Sequence, residues 1–223
     1  MELHTGHHLV VQLLGMNVNM DTLYMTWLTA AIVIILTVAA TRGHSLVPSG
    51  IQNVMEMIIE ALLKQFQETL GPKWGQVVSV LLTMFLFILV GNELGLLPSP
   101  HILASPTNDL NTTLALALVS TFMVHYIALK NMGLKKHLKH YMEPFAPFLI
   151  MNILEEFTKP LTLAFRLFGN ILAGEILLEV LYDLVPAGVP MIWIAFSLFI
   201  GLIQAFIFTI LTTSYLKDSM GEE

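Results

Sequence analysis

The sequence predicts an all-α membrane protein: about five membrane-embedded helices, one amphipathic helix at the interface, and a long, strongly tilted helix hairpin near the C-terminal end. Three observations predict it. Of 223 residues, 56% are hydrophobic and only 12% charged, whereas soluble domains carry about a quarter charged residues. Five apolar segments reach the roughly 20 helical residues that a hydrocarbon core of about 30 Å requires. Lys and Arg fall on alternate sides of those segments, as the positive-inside rule demands.

The segments follow in order. Residues 1–21 form an outer N-terminal stretch whose start, "MELHTGHHLV", has no Lys or Arg. The apolar run 22–40 is followed by Arg42 and not preceded by a basic region, so it reads as a retained span and not as a cleaved leader. Residues 45–70 contain Ile51, Val54, Met55, Ile58, Ile59, Leu62, Leu63 and Phe66 at helical spacing. Glu56, Glu60, Lys64, Gln67 and Glu68 occupy much of the other side, which makes an amphipathic interfacial helix. Gly71-Pro72 ends it. Spans at 76–97 and 112–130 come next.

The segment 147–183 is too long for an ordinary span. As one helix it reaches roughly 55 Å, so it either breaks or lies strongly tilted. Pro160, Gly169 and Gly174 offer places for a bend or a close helix contact. The last helix, 190–216, pairs with it as the tilted hairpin, and the whole chain reads as one integral membrane domain.

Arg42, Lys64, Lys73, Lys130, Lys135, Lys136 and Lys139 all fall on one side of the alternation. Glu93, Asp109 and the stretch "LLPSPHILASPTND" fall on the other. The N-terminus is then outside and the C-terminus inside. Without cysteine there is neither a disulfide framework nor a thiolate metal site. No basic patch interleaved with aromatics suggests nucleic acid, and no phosphate loop suggests a nucleotide site.

Arg166 is the costliest residue in the chain. An arginine at bilayer depth costs at least about 2.5–3.5 kcal/mol, so it faces protein or water and marks function by default. Thr162 and Asn170 lie one turn before and after it on the same face, with Lys159 and Glu155 close by. Glu175 lies about 180° round the helix, which makes a local salt bridge with Arg166 geometrically poor. Glu175 and Glu179 can titrate, whereas a guanidinium stays protonated. A fixed cation beside titratable carboxyls suits a proton path interrupted by an electrostatic barrier. In the last helix Ser197, Gly201 and Gln204 share a stripe, from which Gln204 could bond across to the preceding helix.

"KPLTLAFRLFGNILAGEILL" followed by "GLIQAFIFTILTTSYL" closely resembles subunit a of F-type ATP synthases, and the likeness extends through "PTNDLNTTLALAL" over nearly the whole chain. The resemblance implies a non-catalytic subunit that offers two offset half-channels to a rotating ring of c subunits. Arg166 then faces each ring carboxylate, with Asn170 and Gln204 beside it. Glu175, Asn108 and Asp109 belong to the outer path; Thr162 and Lys159 lie towards the inner one; Glu179 and Ser197 are secondary lining. Ser197 departs from relatives that carry a histidine there, and it cannot titrate; Gly174 stands where some alkaliphile relatives carry lysine. The implied partners are the c ring, subunit b of the peripheral stalk, the other synthase subunits and the lipid bilayer, with no cofactor and no metal. The implied location is a bacterial plasma membrane. A stand-alone channel or transporter explains Arg166 equally well but not the paired motifs. An intramembrane metalloenzyme would use the histidines, yet the alternation puts His4, His7 and His8 outside and His137 and His140 inside.

Overall fold

The computed structural model describes residues 10–13, 15–41, 50–97, 104–141, 148–185 and 188–220. It begins with an antiparallel hairpin of β1 (Val10–Leu13) and β2 (Met16–Asn19), Val10 opposite Asn19 and Leu13 opposite Met16. Gly15 sits between the strands with φ 82°, a conformation that favours glycine. Reading 1–21 as a plain terminus misses this hairpin, because strands of four residues are too short to carry a clear period-2 signal. His4, His7 and His8 lie outside the described residues.

The rest is helical: α1 (Met20–Thr41), α2 (Ile51–Leu70), α3 (Val78–Leu94), α4 (Leu110–His140), α5 (Phe148–Leu184) and α6 (Val189–Met220). Short 3-10 turns at Gly71–Gln76 and Pro106–Asn108 precede α3 and α4. Among the described residues, α1, α4, α5 and α6 are long and apolar enough to cross a membrane. The fifth apolar helix, α3, has 17 residues and continues from α2 through a bend of 118°. The molecule is thus the all-α membrane protein that the composition predicts.

The amphipathic α2 buries Met55, Leu62, Phe66 and Leu70. It packs against α1 and α6, so its apolar face docks on protein. Gly71, at φ 58°, and Pro72 end it where the sequence indicates. By contrast, α4 runs well past residue 130. Gly133, with φ 75° and ψ 159°, kinks it, and the helix resumes through "HLKH" to His140. A span ending at residue 130 thus continues as a helical extension, and His137 within it is buried. Of the two outcomes open to α5, the unbroken helix is the one observed: 37 residues continue through Pro160. A helix of that length exceeds the roughly 30 Å core, so it must run obliquely or project beyond it.

The core gathers where α3, α4, α5 and α6 meet, around Leu81, Phe85, Ile88, Leu163, Leu167, Phe208 and Leu216. Large apolar side chains also cover the outside: Trp27, Ile35, Phe122, Ile150, Phe157 and Met191 are each more than half exposed. Lipid tails and neighbouring subunits are the solvent for such a surface. The threonines of α6 turn inward, and Thr209, Thr212 and Thr213 bond back to the carbonyls of Ala205, Phe208 and Thr209. Ser120 of α4 meets Thr212 at 2.9 Å, a polar tie between helices of the kind that packs membrane bundles.

Candidate functional site

The polar residues collect at the end of α3 and around the second 3-10 turn. Ser105 caps that turn through Thr107 N, and its hydroxyl also donates to Gly91 O at 2.9 Å. Thr107 donates to Asn92 Oδ1 at 2.7 Å, and Asn92 Nδ2 donates to Gly201 O at 3.2 Å. This buried chain joins α3, the turn and α6, where each group would otherwise cost free energy for want of a partner. Gly91 and Gly95 make the close approach feasible. A Cβ on Gly95 would stand 2.7 Å from Ser105 Cβ, and one on Gly91 3.2 Å from Pro106 Cγ.

Asn108, next along, donates to Glu175 of α5. Asp109 caps α4 by accepting from Asn111 N at 2.8 Å. Its other oxygen accepts from Asn19 Nδ2 at 2.7 Å and from Thr22 Oγ1 at 3.0 Å. That carboxylate therefore fastens the β-hairpin and the start of α1 to the N-terminal end of α4. Behind Glu175 lies a cavity of about 200 Å³ between α3, α5 and α6, lined among others by Asn92, Asn170, Glu175, Trp193, Phe196 and Ser197. It has room for several water molecules, each of which occupies about 30 Å³ in the liquid. Trp193 Nε1 closes one side by donating to Gly174 O at 3.1 Å.

The residues singled out in the sequence separate into groups. Asn108 and Glu175 touch directly, and Asn170, Glu175 and Ser197 share the cavity. Glu179 follows one turn beyond Glu175, partly buried. Arg166 and Thr162 lie instead on the exposed face of α5, opposite the buried Ala164 and Leu167. Among the described residues Arg166 has no ion pair or hydrogen bond. Gln204 is only 5% exposed, and its Nε2 has no partner. It belongs to the stripe of Ser197 and Gly201, which faces α3 through the Asn92–Gly201 bond, and it makes no bond across to α5. Lys159 is engaged elsewhere, 3.3 Å from Glu155, 3.9 Å from Glu156 and over the Tyr215 ring.

Sequence reasoning missed two clusters. One is the Asn92–Ser105–Thr107 chain, whose signal was the Asn-Glu pair ending an apolar run and the cap-forming "SPTND" string. The other lies where the C-terminal half of α4 meets the N-terminal part of α5. There His125 Nδ1 donates to Thr121 O, and the Tyr141 hydroxyl stands 3.3 Å from His125 Nε2, with Glu156 at 3.4 Å from the same nitrogen. Burial, together with the charge and hydrogen bond of Glu156, pushes the Tyr141 hydroxyl up to about 12. His137 packs edge-on against both rings.

Fold and site together define a class: a multi-pass helical membrane protein with a polar cavity among its spans and, on an exposed helix face, a guanidinium without an ion pair among the described residues. Comparison with known proteins narrows it. A family model described as "ATP synthase A chain" matches residues 23–217. The chain is 39% identical over 221 residues to a protein of Desulforamulus reducens named ATP synthase subunit a, covering 95% of this chain and 83% of that relative. The chain belongs to the ATP synthase A chain family. As such it is a membrane subunit of an ATP synthase, concerned with ion translocation and not catalytic by itself.

Proposed function

We propose that this chain provides two offset ion half-channels, most simply for protons, to a rotating ring of c subunits, with Arg166 as the barrier between them. The observation that carries the reading is the separation of Arg166 from Glu175. The guanidinium stands on the exposed face of α5 without a partner among the described residues, while Glu175 joins Asn108 and lines the cavity on the other side. A bare cation on an apolar face requires an external anion, and a ring carboxylate passing that face supplies one. An ion then enters from outside past Asn108 and Glu175, loads the ring carboxylate, and leaves inward along the face of Thr162 after nearly a full turn. Asn170, between the cavity and the Arg166 face, is well sited to pass it on, with Gln204, Glu179 and Ser197 as flanking lining. Asp109 and Lys159 serve the two paths by holding their ends together.

The same reading treats the whole chain as one integral membrane unit that works with the c ring, subunit b and the remaining synthase subunits. It places the N-terminus outside and the C-terminus in the cytoplasm of a bacterial cell. Arg166→Ala in the assembled complex should abolish ion-driven ATP synthesis and raise passive ion leak in membrane vesicles. Undiminished coupled synthesis in that variant would sink the reading. Co-purification with a ring of small hairpin subunits separates it from a self-sufficient channel.

A further inference from the structure

We infer that Glu93 is a further proton-carrying group of this chain, bridging the Glu175–Ser197 cavity and Gln204 along the seam between α3 and α6. The inference rests on the half-channel reading and adds a residue to it.

Glu93 follows the cavity-lining Asn92, and its carboxylate lies over Gly201 of α6. A Cβ on Gly201 would stand 2.8 Å from Glu93 Oε1, so the glycine leaves the space that this carboxylate fills. Glu93 Oε2 is buried and, among the described residues, without a hydrogen-bond partner. Two other orphaned groups flank the same glycine on α6. Ser197 Oγ stands one turn before it and Gln204 Nε2 nearly one turn after, with these side chains only 8% and 5% exposed. Three unsatisfied polar groups on one stripe depart from the rule that buried polar atoms find partners. A carboxyl can take up and release a proton, and a hydroxyl and an amide N–H can hydrogen-bond the water that carries it.

Charge supports the assignment. Among the described residues, no charged group on the elements packed against α3 bonds to Glu93: not Asp21 of α1, the charges of α2, Lys73, or Lys217 and Asp218 of α6. Asp109 and Glu175 do not bond to it either. Ionisable residues inside a membrane bundle are rare, face its interior or a water-filled cavity, and mark ion pathways and proton relays. In the step proposed, a protonated water (H3O+) arriving in the cavity from outside gives its extra proton to the Glu93 carboxylate and is left as neutral water. The resulting carboxyl O–H gives it up to water on the Gln204 side, which leaves the carboxylate as it was. Only O–H bonds form and break.

The test uses the whole complex in membrane vesicles in sodium-free buffer, with the chain's content in the solubilised complex as the check on assembly. Passive proton conductance, after removal of the nucleotide-hydrolysing sector, is followed against pH. Glu93→Gln keeps the shape and loses the titration, and conductance should fall roughly tenfold or more, the range in which a lost acid–base group is felt. Glu93→Asp should retain conductance with a displaced pH midpoint, and Gly201→Ala should lower it by crowding the carboxylate. Parent-like conductance and pH profile in Glu93→Gln overturns the inference. So does failure of Glu93→Gln to assemble while Glu93→Asp assembles with an unmoved midpoint, since that marks a packing role. If Arg166→Ala uncouples the enzyme while Glu93→Gln is indifferent, this inference alone fails and the half-channel reading stands.

Discussion

Arg166 and Glu175 differ by nine positions, and helix geometry alone puts them on opposite faces. What each face meets depends on neighbours distant in sequence. Glu175 receives Asn108 from a turn 67 residues earlier, and its Oε1 would be 3.0 Å from a Cβ on Gly95. Gly95→Ala would also meet the Ser105 backbone N at 2.8 Å, which cannot retreat as a flexible side-chain tip would. Such overpacking typically costs about 1–3 kcal/mol. The variant should lower the melting temperature of the purified complex and weaken ATP-driven pumping together. Just past the C-terminal end of α4, Tyr141 stays protonated well above the ordinary tyrosine range because burial and Glu156 disfavour its anion. Its stabilising contribution is fully present below a pH of about 10 and is lost as pH rises through about 12. Ultraviolet titration should reveal one late tyrosine, absent in Tyr141→Phe.

At the scale of elements, the residues around Asp109 and Glu175 come from segments that are not neighbours in the chain. Asp109 ties β2 and α1 to α4, so Asp109→Ala removes a helix cap worth about 1 kcal/mol and orphans two further donors. Protease digestion of outward-facing vesicle surfaces should then cut the N-terminal hairpin faster. The amphipathic α2 is fastened by Phe66 and Leu62, at 0% and 2% exposure. Phe66→Ala should destabilise by about 3–5 kcal/mol, read as loss of the chain from the assembled complex. A variant that assembles and melts normally would show that α2 is held by lipid, not by α6. The amphipathic pattern of α2, its Gly-Pro stop and the extra length of α5 were legible because each rests on local periodicity and punctuation. The β-hairpin and the helical "HLKH" were not: four-residue strands are too short to register, and a glycine kink in α4 mimics a helix end.

For the whole molecule, the absence of cysteine makes topology directly testable. Gln12→Cys should react with an impermeant thiol reagent added outside intact cells, and Asp218→Cys only in inverted vesicles. The opposite pattern would reverse the orientation drawn from the Lys and Arg alternation. By itself the sequence determined the class, the number and order of the apolar helices, the amphipathic helix and the opposition of Arg166 to Glu175. Each follows from composition, from helical periodicity or from the cost of charge in lipid, which act within a short stretch of chain. Only the tertiary structure decided that Asn108 meets Glu175, that Asp109 is a fastening, and that Gly201 backs onto Asn92 and Glu93 of α3. It alone brought Glu93 over Gly201, 108 positions away by sequence number, counting 201 − 93. Contacts of that separation depend on which helices pack together, and local pattern does not encode the pairing.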